Sequence, residues 1–214
     1  HQKKTIPPSC KKGITTPKDL RDNASASRAK LVTLFEALYN NPRELASDAK
    51  MKELTDCTTN YLKWIVKLVA DGYRFELFCY WSESICPKTN HAFNDLYYDA
   101  ANVLWNLACV ELNHANHILT FGVTTLNLEA KEKEAYATLC QTAGRYKLAG
   151  ELVSKVSVDA TDGSQNNTLL ADCTVDFFEM MEKPALAQAQ EIGASKAARK
   201  DDTTERSAKH ALVA

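Results

Sequence analysis

Glycine and proline are scarce in this chain: 7 glycines and 6 prolines stand in 214 residues, well below average usage. A β-sandwich or barrel needs turn signals about every 8–12 residues, and this sequence cannot supply them. Few turn-formers over such a length leave long helices joined by few loops. The remaining composition, 45% hydrophobic and 25% charged, is that of a globular chain long enough to bury a real core. Basic and acidic side chains number 26 and 27, a net charge of −1. That balance offers no general attraction for nucleic acid or an anionic membrane. No run approaches the roughly 18 apolar residues of a membrane-spanning helix, so no transmembrane segment is expected.

The seven cysteines, Cys10, Cys57, Cys79, Cys86, Cys109, Cys140 and Cys173, are odd in number and show no C-x-x-C pair. Neither a zinc site nor a thioredoxin-type motif is signalled. Several lie in apolar stretches, where a free thiol behaves as a small hydrophobe, and a reducing, cytoplasmic compartment is the simplest reading.

Residues 1–16, with Pro7-Pro8 and Gly13, read as an extended arm with a short strand around Ser9–Lys12. Pro17 opens a first helix over 17–40 with Leu31, Leu34 and Leu38 on its apolar face. Asn41 is placed to cap a second helix from Pro42 to about Asp71. Leu54, Cys57, Tyr61, Ile65, Leu68 and Val69 trace that helix's buried side. The aromatic segment Tyr73–Trp81 lacks helical spacing and reads as a strand or extended segment, followed by a loop over Ser82–His91. A third helix is expected over 92–120 and a fourth over 128–155. The fourth buries Tyr136, Leu139, Ala143, Tyr146, Gly150 and Val153, and its Ala143, Gly144, Ala149 and Gly150 allow close helix approach. After a loop over Asp159–Asn167, a fifth helix over 168–182 carries Leu170, Thr174, Phe177 and Met181 in line. Pro184 predicts a kink there, or a fresh helix from Lys183 to about Lys200. The end of the chain stops as a helix begins.

Catalytic motifs are missing: there is no Gly-rich phosphate loop, G-x-S-x-G or H-E-x-x-H. Glu111 and His114 stand at the i, i+3 spacing of di-iron bundles, but such sites need further inward carboxylates and a second Glu-x-x-His, and the chain contains no second copy of that motif. His114 and His117 therefore read as two polar histidines on a solvated helix flank, with no metal, no cofactor and no enzymatic role expected. Trp64, Trp81 and Trp105 with the eight tyrosines read as core rather than base-stacking residues, and the mixed-sign run Lys196–Arg206 reads as a solvated helix end or loop. The fold expected is mainly α, and a surface-presenting role is favoured.

Four segments, in order, resemble the Bro1 domain of Alix- and Bro1-like endosomal-sorting adaptors. These are Trp81-Ser82-Glu83; Tyr98-Asp99 with the helix Val103-Leu104-Trp105-Asn106-Leu107-Ala108; Gln141-Thr142-Ala143-Gly144-Arg145-Tyr146; and Leu186-Ala187-Gln188-Ala189-Gln190-Glu191, which matches the family hexapeptide letter for letter. Cys10-Lys11-Lys12 resembles the family's N-terminal strand. The resemblance covers nearly the whole chain but only the first part of the family domain, so a fragment is expected, with apolar surface exposed where later helices would pack and self-association through it. It implies a curved, mainly α domain of tetratricopeptide-like helical hairpins over 17–214, with a small N-terminal β-sheet. It also implies a non-enzymatic adaptor, cytoplasmic or peripheral on endosomal membranes, that binds the C-terminal amphipathic helix of an ESCRT-III subunit in an apolar groove.

The family's groove residues, an aromatic and two aliphatics, fall here on Gly193, Arg206 and His210, with Ile192 as a neighbour. The aromatic anchor is missing and both aliphatics are polar. Three lost anchors, each worth about 2 kcal/mol or more, imply that the partner differs, that neighbours such as Ile192 rebuild the groove, or that adaptor function is lost. A helical scaffold of the same ancestry serving another partner, such as a cytoskeletal protein, is the alternative; its signature is an exposed apolar patch away from the groove.

Overall fold

A computed structural model describes residues 18–41, 44, 47–75, 79–82, 90–156 and 171–201. The described chain is mainly helical: α1 (Lys18–Asn40), α2 (Asp48–Ala70), β1 (Cys79–Ser82), β2 (Asn90–Phe93), α3 (Leu96–Phe121), α4 (Leu128–Val153) and α5 (Val175–Asp201). The proposed N-terminal arm, the loop over Asp159–Asn167 and the residues after Asp201 lie outside the described residues.

Helix α1 buries Leu20, Ala24, Arg28, Leu31, Leu34 and Leu38, a stripe spaced three and four apart. Helix α2 does not start at Pro42. Asn41 instead closes a turn with Glu44, donating from Nδ2 to Oε1 at 3.1 Å, and Ser47 becomes the cap, its side chain accepting from the Lys50 N–H. A cap serine followed at once by Asp48 satisfies an orphan N–H and complements the helix dipole. The other end closes as a Schellman turn: Tyr73 N–H donates to Leu68 C=O and Gly72 N–H to Val69 C=O, with Gly72 at φ 86°. That positive φ is what requires a glycine there.

The expected nine-residue strand is shorter. Tyr73–Phe75 belong to the turn after α2, and strand pairing runs only from Cys79 to Ser82. Its antiparallel partner, Asn90–Phe93, overlaps the expected loop and the expected start of the third helix; Cys79 faces Phe93 and Trp81 faces His91. Period-two alternation turns Cys79 and Trp81 into the core. Asp95 then caps α3, accepting from the Tyr97 N–H at 3.0 Å, while the Arg74 guanidinium grips its carboxylate, with Nη2 to Oδ2 at 2.6 Å.

Each helix packs against the next in the chain, α1 on α2, α2 on α3, α3 on α4 and α4 on α5. The main core gathers residues of all five helices and both strands; a satellite core of Ala115, Ile118, Ala135, Leu139 and Ala189 lies between α3, α4 and α5. Trp81 and Trp105 are buried, and Trp64 packs partly buried against the main core. The described cysteines Cys57, Cys79, Cys109, Cys140 and Cys173 are free thiols.

Two expectations about α4 fail. Tyr136 and Gly144 lie on its exposed side, and the buried stripe runs instead through Glu132, Ala135, Leu139, Thr142, Ala143, Tyr146, Ala149, Gly150 and Val153. A Cβ at Gly144 would meet nothing, whereas one at Gly150 would lie 3.4 Å from the Phe178 Cβ. Gly150 is therefore the glycine that lets α5 approach α4.

Helix α5 begins at Val175, later than expected, with Thr174 Oγ1 accepting from the Phe177 N–H at 3.2 Å. It runs unbroken through Pro184. Pro184 is exposed, so water rather than a buried neighbour can take the Met180 carbonyl that the missing N–H leaves free. Near its far end, Lys196 pairs with Glu129 at 2.8 Å and Arg199 with Glu132. The mixed-charge run is thus in part a tether to the first turn of α4 rather than a solvated end.

Candidate functional site

Polar residues converge at three places in the helical scaffold. The first is a closed junction around Asp99, in the first turn of α3. Arg28 from α1 donates to its Oδ1 from Nη2 at 2.8 Å and from Nε at 3.2 Å, and to its Oδ2 from Nε at 3.3 Å. Trp81 Nε1 from β1 donates to Oδ1 at 2.8 Å, and the Tyr61 hydroxyl from α2 donates to Oδ2. All four residues are buried.

Burial alone would push the Asp99 carboxyl up; the Arg28 guanidinium and the hydrogen bonds from Arg28 and Tyr61 outweigh it and hold the carboxyl below its usual range. Burial, and then the Asp99 charge, lift the Tyr61 hydroxyl and the Cys79 thiol well above theirs. An ionised carboxylate locked by three donors and closed to solvent exchanges no proton with a ligand. The junction pins four elements together.

The second place is the middle of α3, where the expected solvated flank is overturned. Glu111 and His114 are both buried, and His117 is half-buried with its ring 5.0 Å from that of Phe121. The physical reason is that α3 is covered by α2 on one side and α4 on another. Arg145 of α4 donates from Nε to both Glu111 oxygens at 2.9 Å. Burial raises the Glu111 carboxyl, and Arg145 offsets part of that rise. The Glu-x-x-His pair therefore splits: Glu111 is committed to Arg145, while His114 Nε2 lies 3.8 Å from Asp48 Oδ1 at the start of α2. Glu134 of α4 completes that group.

The third place holds the positions carried over from the family groove. Gly193 is exposed on α5. Ile192 is half-buried in the satellite core with Leu112, Leu119 and Cys140, so it is largely spent on holding α5 to α3 and α4. Arg206 and His210 lie outside the described residues. What the sequence did not indicate is Tyr136: it is 44% exposed, and its Cε2 lies 4.0 Å from where a Cβ on Gly193 would stand. Leu186, the first residue of the hexapeptide, is also exposed and stands seven residues before Gly193, on the same side of α5. Tyr136 of α4 thus stands beside Gly193 of α5. Helical periodicity put Tyr136 in the buried stripe, and only the pairing of α4 with α5 reveals its neighbour.

No protein-family model and no curated protein sequence matches this chain. Among the described residues, no helix is long and apolar enough to cross a membrane.

Proposed function

We propose that the chain is a non-enzymatic, Bro1-like adaptor that docks a partner helix on the exposed seam of α4 and α5, in ESCRT-linked endosomal sorting or membrane remodelling. The observation that carries the reading is Tyr136 beside Gly193. A family-type groove needs a large aromatic anchor, and Tyr136 offers one at the position where the α5 sequence has none. Leu186, on the same side of α5, adds apolar surface.

Two further facts support the family reading. Trp81 and Asp99, from two separate segments of the resemblance, are hydrogen-bonded to one another. The hexapeptide Leu186–Glu191 lies in α5 with Ala189 buried against α4 and α3, so its spacing serves helix packing while Leu186 and Gln190 face outward.

The partner proposed is the C-terminal amphipathic helix of an ESCRT-III subunit, held through altered groove chemistry. Capture of the protein on immobilised peptides of that class, with loss of capture for Tyr136→Ala, is the expected result. Equal capture of the variant would place the docking face elsewhere.

A second reading has its own observation. Phe121 and Leu126, 76% and 98% exposed, sit at the α3–α4 turn. That apolar tip is the signature named for a scaffold of the same ancestry serving another partner, such as a cytoskeletal protein. Phe121→Ser together with Leu126→Ser would abolish partner capture in that case and leave it intact in the first.

A further inference from the structure

Three helices bring a mixed set of metal-ligating side chains together where the adaptor reading has no use for them. Asp48 comes from the first turn of α2, His114 from the middle of α3 and Glu134 from the first half of α4. One nitrogen and two carboxylate oxygens lie within 4.8 Å of one another. This is not a run of surface acids: the imidazole is buried, Glu134 is half-buried and Asp48 is exposed. Residues this far apart in sequence meet only because α2 and α4 both flank α3.

We propose that Asp48, His114 and Glu134 form a divalent-metal site, with Zn²⁺ as the fitting ion, that ties the start of α2 to the α3–α4 hairpin. Imidazole and carboxylate together suit Zn²⁺ among the divalent metals. Bonds of about 2.0–2.2 Å in a tetrahedron need ligand atoms about 3.3–3.6 Å apart. The His114–Asp48 separation of 3.8 Å is close to that already. The rest of the contraction falls on Asp48 and Glu134, whose outer side chains can rotate, while burial fixes the imidazole. Two carboxylates balance the charge of the dication, and water fills the fourth position.

Lys131 is the native competitor, with Nζ 2.7 Å from Glu134 Oε2. It already gives Glu134 a counter-charge, and its partly exposed side chain must swing aside when metal enters. Removing it should therefore strengthen metal binding, which a merely structural ion pair would not do.

The test is titration of chelator-treated, reduced protein with Co²⁺ and Zn²⁺, followed by Co²⁺ absorption and by thermal unfolding. One ion per chain is expected, with a d–d spectrum free of thiolate charge transfer and a raised unfolding temperature. Asp48→Asn, at an exposed position that leaves the fold intact, and His114→Ala should each weaken binding by about tenfold or more; Lys131→Ala should tighten it. Failure to bind one equivalent, a thiolate band from the free cysteines, or an unchanged affinity in Asp48→Asn would overturn the site.

Discussion

Arg28 and Asp99, 71 residues apart in sequence, form an ion pair that is closed to solvent on both sides. A buried pair gains little over well-packed apolar residues, but stripping one partner leaves an uncompensated charge. Arg28→Ala should therefore cost about 3–5 kcal/mol, read as a fall in the urea midpoint. An Arg28→Met, Asp99→Leu double variant should recover only part of that loss, because the buried Tyr61 hydroxyl and Trp81 Nε1 then lose their acceptor. A single variant within about 0.5 kcal/mol of the parent would show that the pair does not hold the elements together.

The same carboxylate sets a pH dependence. Asp99 has a folded pKa below its unfolded one, so the unfolded chain binds more protons between the two values. Its contribution is present above the ordinary carboxylate range near pH 4 and is lost as pH falls through the folded pKa. Glu111 has the opposite sign, since its folded pKa is raised: its ionised form costs stability as pH rises through the carboxylate range. Urea midpoints measured from pH 6 to pH 3 should fall on acidification, and Glu111→Gln should steepen that fall by removing the opposing contribution.

The two glycines of α4 should behave oppositely. Gly144→Ala adds a Cβ in open space within a helix and should stabilise by about 0.5–1 kcal/mol. Gly150→Leu drives a side chain into Phe178 and should destabilise by about 1–3 kcal/mol. Thermal unfolding of both variants checks the pair, and a destabilised Gly144→Ala would contradict the assigned faces of α4.

Pro184 sits inside a continuous helix. Pro184→Ala restores an N–H for the Met180 carbonyl and should stabilise by about 1–3 kcal/mol, with little change in helical circular dichroism. A large gain in helicity would mean that α5 is interrupted there in solution.

Much of the fold was legible because it depends on local spacing. The stripes Leu31–Leu34–Leu38 and Leu54–Cys57–Tyr61–Ile65–Leu68 are written at intervals of three and four, and each is buried. What periodicity could not show is where two helices meet. Tyr136 fits a stripe yet faces outward, because α3 and α5 cover a side of α4 that runs through Glu132 and Ala135.

Charged core residues were hidden for the same reason. Arg28, Glu111 and His114 look like surface residues until partners from other elements close over them. Pro184 does not start a fresh helix, because its cost is tolerable on an exposed helix face. The neighbour that stands beside Gly193 comes from 57 positions earlier and leaves no local trace.

The proposed docking on the α4–α5 seam is tested most directly by fluorescence-anisotropy titration with a labelled C-terminal helix peptide of an ESCRT-III subunit. The expected result is saturable binding that Tyr136→Ala weakens by roughly thirtyfold, the loss of one anchor of about 2 kcal/mol, with unfolding behaviour unchanged. No binding up to high micromolar peptide, or binding that Tyr136→Ala leaves intact, would contradict it.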